Sequence, residues 1–186
     1  MENEIIEKVR NFVEEECRKP TSKYGYEPYV RHFLPVVKIA KELGKQRGGD
    51  LEIIEISALL HDIGSIVVGR ENHHVTSGEI AERKLRELGY PEERIMWVRS
   101  CIFTHRGSKG MKPESIEGEI LAEADAIDAF GRIEGLFWAA YQENLTQKEA
   151  IISVRNKLLN KYDQLSEDGR KMIQSKYDAL MLILGD

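Results

Sequence analysis

The 186-residue sequence predicts an all-α protein, and three observations carry that prediction. Apolar residues recur at helical spacing along almost the whole chain. No stretch alternates apolar and polar residues for long enough to make a strand. Capping residues stand where periodic segments begin, as at Asp50 and Thr146.

The elements follow in order. Residues 2–18 place Ile5, Ile6, Val9, Phe12 and Val13 on one apolar stripe. Pro20 and Gly25 mark residues 19–27 as a connection. A second helix starts near Pro28, whose fixed φ suits a first turn, and runs to about Gln46. Pro35 inside it predicts a kink or a later helix start. Asp50 is the N-cap of a third helix, LEIIEISALLHD, which Gly64 is expected to end. Helices at 73–88, 91–105, 115–134 and 135–143 come next. Thr146 and Glu149 form a capping box that opens a helix to about Leu165. The last helix covers 167–184, with Tyr177, Leu180, Met181 and Leu184 on one side. Nothing marks a domain boundary, so residues 1–186 read as one domain, with a motif core at about 28–131 and two further helices at about 146–184. The apolar stripes of those two helices fit either core packing or a homodimer interface.

A composition of 41% apolar and 32% charged residues is that of an ordinary globular chain. No apolar run approaches the roughly 20 residues of a membrane-spanning helix. The N-terminus, MENEIIEKVRNF, lacks the basic start and apolar stretch of a signal peptide, so the cytoplasm is the expected location. Cys17 and Cys101 form no CxxC pair and read as small buried fillers. The net charge of −5 argues against general nucleic-acid binding, which relies on Lys and Arg against phosphates. It leaves room for a small phosphorylated substrate held by a few local cations.

The third helix carries the chemistry. Leu51, Ile53, Ile54, Ile56, Ala58, Leu59, Leu60 and Ile63 leave it almost no solvent face, yet it finishes in His61-Asp62. A carboxylate there faces the negative end of the helix dipole. Burying it without a positive partner adds a penalty of several kcal/mol. A bound cation removes both objections, and the adjacent imidazole is a suitable second ligand. An arginine partner or an exposed helix lip would be the plainer explanation of an isolated pair. Asp125, in GEILAEADAIDAFG, has Leu121, Ala122, Asp128 and Ala129 at helical spacing and no local cation. His32 has Pro28, Tyr29, Val36 and Ile39 around it. One shared metal accounts for these three inward-facing sites together. All five histidines fall between residues 32 and 105, each near a helix end or loop.

The order His32, His61-Asp62, Asp125 resembles the signature of the HD-domain superfamily of metal-dependent phosphohydrolases. RHFLPVVKIA resembles its first-histidine helix, SALLHDIG its central motif, HHVTSGEIAERKL the helix after the central loop, and ILAEADAIDAFG its final-aspartate helix. The resemblance implies an all-α helical bundle and a divalent metal held by His32, His61, Asp62 and Asp125. It also implies hydrolysis of phosphoester or pyrophosphate bonds, often in nucleotides. Pro35 and Ser65 stand where the family often carries residues able to touch phosphate. Gly89-Tyr90-Pro91 echoes a motif of the cyclic-di-nucleotide branch but reads as a helix stop followed by a helix-initiating proline.

Two imidazoles and two carboxylates suit Mn, Fe, Co, Ni, Zn or Mg, and the sequence does not choose among them. Asp62 is both ligand and catalytic carboxylate in this reading. His74 and His105 bind phosphate, pass a proton to the leaving oxygen, or complete a second metal site bridged by Asp62. His73 is expected to point elsewhere, since helix neighbours diverge by about 100°. Asp128 is placed to orient a ligand or a water. Arg70, Arg106 and Lys109 are candidate phosphate contacts, with solvated loop charges as the plain alternative. Two other functions fit the same residues. One is a di-iron oxygenase of the HD type, with His74 and His105 both as ligands; the other is a non-catalytic metal-binding or interaction module.

Overall fold

The computed structural model describes residues 2–106 and 112–185, and every regular element among them is helical. No helix among them is long and apolar enough to cross a membrane. The chain forms two compact units, Met1–Ala124 and Asp125–Asp186.

In the first unit, α1 (Glu2–Arg18) lays Val9, Val13 and Cys17 into the core. A π-helical turn at Tyr29–Phe33 precedes α2 (Leu34–Arg47). Pro35 takes a first-turn position of α2, where a missing N–H removes no intrahelical bond. The Leu34 N–H donates five residues back to the Tyr29 carbonyl. The conflict posed by Pro35 is thus settled by a wider turn just before it, and that turn buries Tyr29, His32 and Phe33.

The central helix α3 (Leu51–Leu60) is anchored at its start. Asp50 accepts hydrogen bonds from the N–H groups of Glu52 (3.0 Å) and Ile53 (3.1 Å). Arg94, on α6 (Glu92–Thr104), reaches Asp50 and Glu52, each at 2.9 Å. Glu117, on α7 (Ile116–Ala129), accepts the Asp50 N–H at 3.0 Å. Ile53 through Leu60 are all buried, Glu55 included, and Arg10 (2.8 Å) and Lys41 offset its charge.

The helix does not run on to Gly64. It stops at Leu60, Asp62 leaves helical geometry at φ −114°, ψ 13°, and a short α4 (Ile63–Val67) begins. Gly64 sits inside α4 for a packing reason. A Cβ there would lie 2.2 Å from Thr76 Oγ1 and 2.6 Å from the Ser77 nitrogen on α5 (His73–Glu87). Its N–H donates to Ser77 Oγ at 2.9 Å. Glycine is what lets α4 and α5 touch backbone to side chain.

The boundary between the units falls inside α7. This helix ends at Ala129 rather than at 134, because the N–H groups of Phe130 and Gly131 turn back onto the Ile127 and Asp128 carbonyls. After it come α8 (Ile133–Gln142), α9 (Gln147–Asp163) and α10 (Glu167–Leu184). Thr146 and Glu149 close the expected capping box on α9. Tyr162 and Tyr177 stack at 3.9 Å, joining α9 to α10, and Phe130 contacts both rings. Both cysteines are buried, and burial pushes their thiols up, to about 12 for Cys17 and about 11 for Cys101.

Burial alone would raise the Asp50 carboxyl, but Arg94 and the Ile53 and Glu52 N–H groups hold it below the usual range. Asp50→Ala should therefore cost about 0.5–2 kcal/mol in urea unfolding at neutral pH. The folded carboxyl titrates below the unfolded value of about 3.9, so this stabilisation is complete above that pH. It is lost as pH falls through the lower folded value, and the gap between wild type and variant should close from about pH 4 downward.

Candidate metal centre

Four imidazoles meet one carboxylate in the first unit. Asp62 follows α3, and its Oδ2 lies 3.4 Å from His32 Nε2 and 4.0 Å from His61 Nε2. Its Oδ1 faces the other way, 3.2 Å from His73 Nε2 and 3.6 Å from His105 Nε2. Nε2 of His32 and Nε2 of His61 are 3.0 Å apart. His32, His61, His73 and His105 are all buried.

The ring tautomers are set by the backbone. Nδ1 of His61 bonds the Ala58 carbonyl at 2.8 Å, Nδ1 of His73 the Arg70 carbonyl at 2.9 Å, and Nδ1 of His105 the Ile102 carbonyl. A carbonyl can only accept, so in each case Nδ1 carries the proton. In the neutral rings Nε2 is then a bare lone pair: those of His73 and His105 face Asp62 Oδ1, while that of His61 faces His32 Nε2 at 3.0 Å, with Asp62 Oδ2 at 4.0 Å. Lone pairs facing an anion repel it. A cation between them turns the same arrangement into a ligand set, and imidazoles held by a second hydrogen bond are the usual form of such ligands.

The donor spacing suits this. Ligands about 2.0–2.1 Å from one ion lie roughly 3.0 Å apart at right angles and roughly 3.4 Å apart at tetrahedral angles. Among the described residues two groups converge closely enough, His32-His61-Asp62 and Asp62-His73-His105. Asp62 belongs to both. Its Oδ1 is buried and accepts no well-formed hydrogen bond, the mark of a polar atom awaiting a partner. Among the described residues no lysine or arginine pairs with it. Burial pushes the carboxyl up; with the imidazoles protonated instead of neutral, charge from His73 and His61 and hydrogen bonds from His105 and His32 would hold it well below the ordinary range.

His32, His61, Asp62 and His105 therefore come together as the sequence suggests. His73 does not point elsewhere: it faces Asp62, because the contact of Gly64 with α5 turns the first residue of that helix inward. His74, also buried, lies with its ring 5.5 Å from Phe103 and belongs to neither group. Arg70 supplies its carbonyl to His73, and the half-buried Arg106 follows His105. Lys109 lies outside the described residues. Asp125 opens the second unit and is not without a cation, since Lys161 Nζ donates to its Oδ2 at 2.6 Å. Nothing local announces that partner, which stands 36 residues away. Asp128 pairs with Arg132.

The family model described as HD domain matches residues 29–129. YpgQ, an uncharacterized protein of Bacillus subtilis, is 24% identical over 186 residues, covering 94% of this chain and 88% of its own length. Ribonuclease Y of Symbiobacterium thermophilum is 30% identical over 109 residues, 58% of this chain, and the chain spans 19% of that protein. The solved structure of Bacillus subtilis YpgQ in complex with ADP superposes with a TM-score of 0.73 at 20% identity, covering 98% of this chain and 93% of that one. An HD-superfamily hydrolase from Bacillus thuringiensis gives 0.70 at 24% identity, covering 99% and 95%. These structural likenesses show a shared fold.

Two changes probe the centre. Mn²⁺ at about 100 times its Kd should raise the unfolding free energy by about 2.7 kcal/mol in wild type and leave Asp62→Ala unmoved. Gly64→Ala, which forces α5 away from α4, should cost about 1–3 kcal/mol and weaken Mn²⁺ binding, both read by thermal unfolding with and without the ion.

Proposed function

The chain belongs to the HD-domain superfamily of metal-dependent phosphohydrolases, and on that premise we propose that it hydrolyses a phosphoester or pyrophosphate bond in a nucleotide or similar small phosphorylated substrate. One observation carries the reading: a half-buried carboxylate, Asp62, ringed by the nitrogens of four imidazoles, with the bare lone pairs of His73 and His105 facing its buried Oδ1. His32, His61 and Asp62 would hold a divalent cation, with Asp125 as a further ligand on the strength of its motif. Once bound, such an ion would supply acidification of a water and polarisation of a phosphoryl oxygen. A nucleotide is the favoured substrate class because the similar YpgQ was solved with ADP.

The chain's own groups divide the remaining work. The bonds from His61, His73 and His105 to carbonyls three residues back fix their ring orientation before any ligand arrives. Arg70, three residues before His73, and Arg106, next to His105, are assigned to substrate phosphate together with Lys109. His74 is assigned to proton transfer toward the leaving oxygen.

A two-cation form of this site has its own support, in the split of the Asp62 carboxylate between two ligand groups. Metal analysis of the Mn²⁺-loaded protein should then find two ions per chain in wild type and one in His73→Ala/His105→Ala. A single ion in wild type contradicts that form.

The reaction is tested by phosphate and pyrophosphate release from a panel of nucleotides and phosphomonoesters with Mn²⁺, Co²⁺, Ni²⁺ or Mg²⁺. Metal-dependent release that disappears in Asp62→Ala is expected. Protein that binds an ion yet releases nothing from any substrate would sink the hydrolase reading. Tightly retained iron in such protein would favour the di-iron oxygenase instead.

A further inference from the structure

The carboxylates around α7 differ in how their charge is met. Glu123 is paired with Arg47 and Asp128 with Arg132, an i,i+4 neighbour. Asp125 takes its cation from far along the chain, from Lys161. Both side chains are largely buried, at 13% and 14% exposure, so neither charge is held by water. Lys161 stands in the last turn of α9, where the helix dipole favours a cation. The adjacent Tyr162 is fixed against Phe130 and stacked on Tyr177. The lysine is therefore held in place by its own helix, and its ammonium engages one named oxygen of Asp125, Oδ2.

We propose that Lys161 is a positioning residue for the final motif carboxylate: by holding Oδ2 it orients Asp125 for the cation. The inference rests on the assignment of Asp125 as a ligand. A ligating carboxylate left without its outer hydrogen bond rotates freely, and loss of such a partner typically weakens metal binding about 10–100-fold. A lysine that only competed with the ion for the same carboxylate would give a change of the opposite sign.

The experiment is Mn²⁺ titration calorimetry on full-length wild type, Lys161→Met, Lys161→Gln, Lys161→Arg and Asp125→Asn, at a temperature where circular dichroism shows each folded. Lys161→Gln accompanies the Met variant so that a misfolded Met protein does not decide the outcome. Expected is a Kd weakened about 10–100-fold in Met and Gln, with Arg restoring it to within a few-fold of wild type. A merely structural lysine would lower the thermal midpoint of the metal-free protein and leave the Kd unmoved. Unchanged or tighter binding in Met or Gln, with binding lost in Asp125→Asn, overturns the positioning role and leaves Asp125 as a ligand. Wild-type affinity in Asp125→Asn removes the ligand assignment itself.

Discussion

A carboxylate at the end of a buried helix has to be compensated from elsewhere, and the first unit is arranged around that requirement at Asp62. α3 is pinned at its start by the Asp50 cap, Arg94 and Glu117, which fixes where its other end emerges. The π-helical turn swings His32 in from one side. Gly64 lets α5 approach closely enough to bring His73 from another, and the end of α6 supplies His105. Each element contributes a nitrogen, and none contributes a fixed positive charge.

That last point separates the half-buried Asp62 from four of the buried acids. Glu55, Glu123, Asp125 and Asp128 each carry a lysine or arginine. Leaving a buried charge unpaired costs about 3–5 kcal/mol, which a marginally stable protein does not carry without reason. Where compensation was structural, the chain used Arg or Lys or, for Glu117, the Asp50 and Trp97 N–H groups. At Asp62 it used imidazoles, which lose a proton readily and leave the position to an exchangeable ion.

Much of this was legible in the residues themselves. The His61-Asp62 pair stood out because the helix before it is apolar on every face, and both cap motifs announced helix starts that the structure has. The choice between His73 and His74 was not legible. Sequence gives the angle between neighbours but not the phase of the helix, which here depends on how α4 meets α5. Reading Gly64 as a helix stop concealed that contact, since a glycine needed for close approach looks the same in sequence as one needed for a turn. Pro35 signalled a conflict without signalling the π-helical solution. The early end of α7 had a signal available, in Gly131 and Gly135 of AFGRIEG. The bond from Lys161 to Asp125 had none, because a pairing across 36 residues leaves no local pattern.

The central claim is that the space around Asp62 is a cation site. Anomalous diffraction from crystals grown with Mn²⁺ tests it most directly. A peak within about 2.0–2.3 Å of Asp62 Oδ2 and the Nε2 atoms of His32 and His61 is the predicted result. Protein that takes up Mn²⁺ in solution but shows its anomalous peak away from Asp62, or none in the crystal, would contradict the account.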